Sequence, residues 1–260
     1  MKTSDKKAFF FDFDGTIWFG RYGERTLKAL KELHGKGHLL FYNSGRSRGN
    51  TRFDNVYEIP FDGYLCGGCL AVTNSGEVLY RSDISREVIS ATLEIEKRFD
   101  LLMLYEGVDG VYKRKGILSW LNGEELDDIF LLKDVEAYPV SKLSLLKKRG
   151  QNGEYLPIPK EALDLLAEHY ILIDFEGYVE CMQKGHGKDV IILKTVEKLN
   201  VALKNTYAFG DSLNDLPMFN VCAKCVAIGH SPKELKKCAS YVTSEEEDGV
   251  WEALKAFNLI

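Results

Sequence analysis

At 260 residues, 45% hydrophobic and 28% charged, the chain has the composition of a globular protein long enough for one large domain or two ordinary ones. Its net charge of −5 argues against a nucleic-acid binder or a ligand of anionic membranes, which carry a basic excess. No apolar run approaches the roughly 18 residues of a membrane span, and M-K-T-S-D-K-K leads into only a short apolar run, so no secretory signal is expected and the expected compartment is the cytoplasm.

Phe9, Phe10 and Phe11 form a short aromatic run that favours a strand buried on both faces. Asp12 ends it, Asp14 follows, and Gly15 permits a sharp exit. The apolar, irregular Ile17–Gly20 reads as a flap. Thr26–His34 reads as a helix with Leu27, Leu30 and Leu33 on one face, stopped by Gly35 and Gly37. His38–Tyr42 is a second buried strand, closing on Asn43-Ser44-Gly45-Arg46. Asp62–Arg81 reads as strands with a turn at Asn74-Ser75-Gly76.

The pattern changes near Ser82. Ser85 is placed to cap a helix running to Phe99, Leu101–Tyr105 is strand-like, and Val140, Leu143 and Leu145 mark another strand. Pro157 and Pro159 precede a helix at Lys160–His169, and two strands, Ile171–Phe175 and Tyr178–Met182, follow. Short strands at hairpin-like spacing make residues 82–181 a small α+β domain with an antiparallel sheet. Helix–strand alternation resumes at Lys188, with a third buried strand, Asn205–Gly210, running into Asp211. Shorter strands at Val226–Gly229 and Tyr241–Thr243 and helices at Pro232–Cys238 and Gly249–Phe257 complete the chain. The expected fold is α/β: a Rossmann-like parallel-sheet core from residues 1–81 and 182–260, with the α+β block inserted.

Six cysteines include two C-x-x-C pairs, Cys66/Cys69 and Cys222/Cys225, a spacing that suits tetrahedral zinc. The pairs border apolar strand-like runs, and free cysteine behaves as a small buried hydrophobe, so burial is the preferred account.

Three apolar runs end in reactive residues, at Asp12, Ser44 and Asp211. If the strands are parallel neighbours, those ends converge on one edge of the sheet, where such folds bind ligands. Asn214 and Asp215 lie close to Asp211, and Lys188 follows a glycine-rich turn. Two unit charges 4 Å apart interact by about 4 kcal/mol at an effective dielectric of 20. Asp12, Asp14, Asp211 and Asp215 together would therefore repel one another and any phosphate. A divalent cation with oxygen ligands, most simply Mg²⁺, relieves this, and Lys188 adds a further positive charge.

The segments D-F-D-G-T, N-S-G-R, K-G-H-G-K-D and G-D-S-L-N-D-L-P-M resemble the four motifs of the haloacid dehalogenase-like phosphatases. Their order, with about 140 residues between Ser44 and Lys188, is similar to the Cof-type subfamily (type IIB), whose α/β cap is inserted between the second and third motifs. The resemblance implies that Asp12 is the nucleophile, forming an aspartyl phosphate, and that Asp14 is the acid–base. It implies that Asp12, Asp14 through its backbone carbonyl, Asp211 and Asp215 serve Mg²⁺, with Asp215 acting through water. It assigns Ser44, Gly45, Arg46, Lys188 and Asn214 to the phosphate. Cap turns, through residues such as Asp109, Tyr112, Lys113, Glu176 and Tyr178, would contact the leaving group. The chain departs from the common pattern at Ser44, at Gly67-Gly68 and at His230. His230 and His186 read as solvated loop imidazoles.

The leading expectation is a Mg²⁺-dependent phosphatase of small phosphorylated metabolites, sugar phosphates first, acting as a monomer or weak homodimer without nucleic acid or membrane. A phosphomutase or phosphotransferase uses the same chemistry, and only its products distinguish it. A non-catalytic phosphometabolite-binding protein is disfavoured by the acid at Asp14, which a binder does not need.

Overall fold

The computed structural model describes residues 6–51, 56–108, 110–113, 129–131 and 139–260. They form two compact units, the first comprising Met1–Gly45, Arg52–Arg81 and Gly187–Ile260 and the second Arg46–Thr51 and Ser82–His186. The second unit thus runs past residue 181, the boundary expected from sequence, because its last strand continues to Gln183 and pairs Gln183 with Tyr170.

Among the described residues the first unit holds an eight-stranded sheet. Its strands are β1 (Ala8–Phe11), β2 (Leu39–Ser44), β3 (Gly63–Cys66), β4 (Leu70–Thr73), β5 (Val78–Arg81), β12 (Thr206–Gly210), β13 (Lys224–Ala227) and β14 (Tyr241–Val242). They lie in the order β14-β13-β12-β1-β2-β3-β4-β5. Pairing is parallel from β14 to β3 and antiparallel from β3 to β5.

Alternation along β1 explains its central place. Phe9 and Phe11 enter one core cluster with Leu30 and Leu33 of α1 (Glu24–Gly35) and Val250 and Leu254 of α7 (Gly249–Ala256). Ala8 and Phe10 enter another with Ile191 and Ile192 of α4 (Lys188–Lys198), Met218 of α5 (Leu216–Val221) and Leu235 of α6 (Lys233–Cys238). A strand covered by helices on both faces must be apolar at successive positions, as this one is. Ile17–Gly20, expected as a flap, is anchored: Ile17 is fully buried, and Trp18 stacks on Phe13 at 5.9 Å and meets Tyr22 at 4.9 Å. Cys66 and Cys225 fall in clusters on opposite faces of this sheet. Burial pushes the Cys222 and Cys225 thiols up to about 12, so both stay protonated and pack as hydrophobes.

In the second unit a six-stranded sheet has the order β10-β11-β9-β6-β7-β8. Its strands are β6 (Leu102–Gly107), β7 (Val111–Lys113), β8 (Ile129–Leu131), β9 (Val140–Leu146), β10 (Tyr170–Asp174) and β11 (Tyr178–Gln183), antiparallel except between β7 and β8. Its core joins Met103, Tyr105, Leu143, Leu145, Val179 and Cys181 to residues of α2 (Arg86–Arg98) and α3 (Lys160–Ala167). Ser85 caps α2, accepting from the Val88 N–H at 3.4 Å. Because side chains alternate along a strand, Glu106, Lys142, Ser144 and Glu180 take the face away from the helices. All four are buried there, with Lys142 Nζ 3.0 Å from Glu180 and Ser144 Oγ donating to Glu106 at 2.6 Å. Of the residues expected to meet a leaving group, Asp109 and the Lys113 side chain lie outside the described residues. Tyr112 is instead buried in the unit's core, and Tyr178 stacks on Phe175 at 4.7 Å. Among the described residues no helix is long and apolar enough to cross a membrane.

Candidate active site

The first unit assembles its polar residues at the carboxyl ends of β1, β2 and β12. Register fixes the arrangement: Phe11 of β1 pairs with Phe209 of β12 and with Tyr42 of β2. The Asp12 N–H extends the ladder by donating to the Phe209 carbonyl at 2.9 Å. Asp12 lies two positions after Phe10, so alternation turns it toward the sheet face covered by α4. Lys188, the first residue of that helix, is buried there and donates 2.5 Å hydrogen bonds to Asp12 Oδ1 and Asp215 Oδ1. A cation at a helix N-terminus opposes the macrodipole, so the carboxylates are what hold it.

Asp215 is fully buried and fully used. Its Oδ2 accepts from the backbone N–H of Asp211 at 2.9 Å and of Ser212 at 3.1 Å, tying the turn after β12 into a capping box. A Cβ at Gly210 would lie 2.5 Å from that carboxyl, so the turn closes only over glycine. Asn214 accepts from Ser212 Oγ at 2.7 Å, a loop-holding contact. Asp211 is oriented by Thr16, whose hydroxyl donates to Oδ1 at 3.0 Å, and by His230 Nε2, 3.4 Å from Oδ2. Gly15 has φ +81°, and a Cβ on it would sit 2.8 Å from Asp211 Oδ2, so this turn also needs glycine for a close approach.

The structure brings Asp12, Asp211 and Asp215 together, with one carboxylate oxygen of each within 4.8 Å of the others. The Asp14 side chain is exposed on the turn and outside that group, so the clustered charge is three carboxylates and not four. Ser44 is buried at the end of β2, Gly45 closes that segment of the first unit, and Arg46 groups with the second. His230, expected as a solvated loop imidazole, is exposed, and its Nε2 also reaches Asp211 Oδ2. His186 is bonded through Nε2 to Ser82 Oγ at 2.7 Å.

The charges are unbalanced. Burial pushes the Asp12 carboxyl well above the usual carboxylate range; Lys188 pulls it back in part, and Asp215 and Asp211 add to the rise. Asp211 is raised by burial and by Asp215. Burial disfavours the Lys188 ammonium, yet Asp12 and Asp215 outweigh it, and its pKa stands above that of an ordinary lysine. Three carboxylates thus share one ammonium. Carboxylate oxygens are hard donors, and this donor set fits an oxygen-seeking divalent ion of the Mg²⁺ class.

Two participants had no role on sequence grounds. Thr16 and His230 lie 195 and 19 positions from Asp211, and no periodicity links them to it. Asn43, in the N-S-G-R segment, is wholly buried; Nδ2 donates to Met218 Sδ at 3.6 Å, while Oδ1 has no partner among the described residues.

Known proteins share this organisation. The family described as haloacid dehalogenase-like hydrolase matches residues 9–254. A putative phosphatase of Bacillus subtilis, YkrA, is 29% identical over 98% of this chain and 99% of its own. An HMP-PP phosphatase of an Enterobacter strain is 24% identical over 86% of this chain and 85% of its own. The solved structure of the subclass IIB sugar phosphatase BT4131 superposes with a TM-score of 0.79 at 23% identity, over 98% of this chain and all (100%) of that one.

Proposed function

The chain belongs to the haloacid dehalogenase-like hydrolases, and from that premise we propose that it is a Mg²⁺-dependent phosphatase of small phosphorylated metabolites, with sugar phosphates as the leading class. The observation that carries the reading is the buried Lys188 bridging Asp12 and Asp215 beside Asp211. A binding pocket for a neutral ligand has no use for three carboxylates that one ammonium leaves undercompensated. The names of the relatives, HMP-PP phosphatase and sugar phosphatase, support a small phosphorylated substrate. The cytoplasm, where such metabolites are found, is the compartment this reading assigns.

In the mechanism, a carboxylate oxygen of Asp12 attacks phosphorus in line as the ester P–O bond breaks. Asp14 gives its proton to the departing alkoxide. The result is an acyl phosphate on Asp12. Asp14, now ionised, takes a proton from water as that water attacks phosphorus, releasing inorganic phosphate and regenerating both carboxyl groups. Ser44 and Lys188 hold the phosphoryl oxygens, and the Lys188 charge favours the ionised, nucleophilic form of Asp12. Asp12, the Asp14 backbone carbonyl and Asp211 would hold Mg²⁺, with Asp215 behind them. When bound, the ion supplies the positive charge that lets a phosphate dianion approach this acidic edge. The second unit, inserted in sequence between Ser44 and Lys188, is read as the part that selects the leaving group.

A panel of sugar phosphates, nucleotides, cofactor phosphates and an aryl phosphate, assayed with and without Mg²⁺, tests this. Phosphate release is expected to need the ion and to fall on the order of 10³-fold or more in Asp12→Asn. Wild-type turnover in that variant would reject Asp12 as nucleophile. Conversion of a sugar phosphate into its isomer without free phosphate would replace hydrolysis by mutase chemistry.

A further inference from the structure

We propose that His230 is a positioning residue for the Asp211 carboxylate and thereby sets the affinity of the acidic cluster for its divalent ion. The proposal rests on the metal reading above.

Each oxygen of Asp211 has its own side-chain neighbour: Thr16 on Oδ1 at 3.0 Å and His230 Nε2 on Oδ2 at 3.4 Å. Two donors on opposite oxygens fix the plane of a carboxylate, where one would leave it free to rotate about its Cβ–Cγ bond. Asp215 achieves the same with two backbone N–H groups and Lys188, and Asp12 leans on Lys188. Asp211 is therefore the member whose orientation depends on a residue from a separate loop.

That loop is built to hold the imidazole in place. The Ile228 N–H donates to the Gly210 carbonyl at 3.1 Å, which ties the loop to the strand end that carries Asp211. The Gly229 N–H donates to Thr243 Oγ1 at 3.0 Å, Lys236 Nζ donates to the Gly229 carbonyl, and the Ser231 N–H closes onto the Ile228 carbonyl at 2.9 Å. The ring itself meets Phe19 edge-on at 5.9 Å, and Nδ1 lies 3.9 Å from Glu246 Oε1. The imidazole is exposed, and these bonds restrain the loop that carries it. Partners that orient metal ligands typically matter by about 10- to 100-fold in metal affinity or activity.

The test is calorimetric titration of the purified chain with MgCl₂ alone, for wild type, His230→Leu and His230→Gln. The leucine variant keeps apolar contact with Phe19 and removes the donor; the glutamine amide restores a donor at a reach similar to Nε2. Mg²⁺ binding is expected to weaken by about 10-fold or more in the leucine variant and to recover most of that loss in the glutamine variant. At saturating Mg²⁺ the leucine variant should keep kcat on an aryl phosphate within about threefold of wild type, because His230 touches no reacting atom in this account. A leucine variant that binds Mg²⁺ as tightly as wild type overturns the proposal while leaving the phosphatase reading intact. Wild-type protein that takes up no Mg²⁺ ends both.

Discussion

Each unit buries a lysine between two carboxylates, and the proposed function gives only one of the two a chemical role. Lys188 bridges Asp12 and Asp215 beyond the ends of parallel strands. Lys142 lies within β9 of the antiparallel sheet, 3.0 Å from Glu180 and under the field of Glu106. Burial works against both ammonium groups, and in both cases the flanking acids outweigh it and raise the lysine pKa. A buried, strongly perturbed lysine therefore does not by itself mark a catalytic centre. Strand-end placement, glycine turns that admit carboxylates against backbone, and a third acid, Asp211, met by a hydroxyl and an imidazole and not by an ammonium, distinguish Lys188. Lys142 has two glutamates across neighbouring strands, in a ladder that Ser144 extends.

The strongest way to break this contrast is to cut both lysines. Removing one partner from a buried ion pair strands the other charge at about 3 kcal/mol or more. Lys188→Met and Lys142→Met should therefore both lower the denaturant midpoint. Aryl phosphate hydrolysis per folded molecule should fall on the order of 10³-fold in Lys188→Met and stay within about threefold in Lys142→Met. Equal loss of turnover in both would erase the distinction.

Asp14 sharpens it from the other side, as an exposed acid to which the proposed function gives a chemical task. Asp14→Asn should slow release from an alkyl phosphate by about 10²-fold or more. The loss should be smaller on an aryl phosphate, whose leaving group needs less protonation. Thermal stability should hold to about 0.5 kcal/mol, as expected for an exposed side chain.

The pH dependence follows from the crowding of acids. With its folded pKa above the unfolded value, Asp12 binds more protons folded than unfolded between those two values. Wild-type stability should then fall relative to Asp12→Asn as pH rises from the ordinary carboxylate range through the raised pKa of Asp12. Lys188 carries the same balance at the alkaline end. Its stabilising contribution is complete below the ordinary lysine pKa and is lost as pH climbs through the raised folded value. Thermal melts in chelator across pH test both. At 100 times its dissociation constant, Mg²⁺ should restore about 2.7 kcal/mol to wild type, and an Asp12→Asn variant with the same ion-induced gain would remove Asp12 from the ion's ligands.

The smallest effect belongs to the second unit's framework. Ser85→Ala removes the α2 cap and should cost about 1 kcal/mol, read as a lower midpoint with kcat unchanged.

The sequence made the acidic edge legible because β1, β2 and β12 are short apolar runs ending abruptly in polar residues. Local pattern also marked the Ser85 cap and the turn at Asn74-Ser75-Gly76. It did not reveal the packed Trp18 against Phe13 and Tyr22, since aromatic contact across a turn has no period. Val140, Leu143 and Leu145 announced β9, but nothing local marked Lys142 between them; its partners lie on other strands. His230 escaped for the same reason. Its meaning depends on the Ile228 to Gly210 bond that folds the loop onto β12, and a hydrogen bond of that kind leaves no trace in composition.

The acid cluster draws on both ends of the chain: Lys188 joins residue 12 across 176 positions, and Thr16 joins residue 211 across 195. A ribosome emits residues 102–183, the whole span of the second unit's described strands, before β12 exists. A nascent chain stopped at residue 205 would thus own Asp12 and β2 beside β1, but lack β12 on the other side and two of the three clustered carboxylates. Assembly of the acid cluster is in this way deferred until residues 206–215 have been made, well after the second unit's described strands.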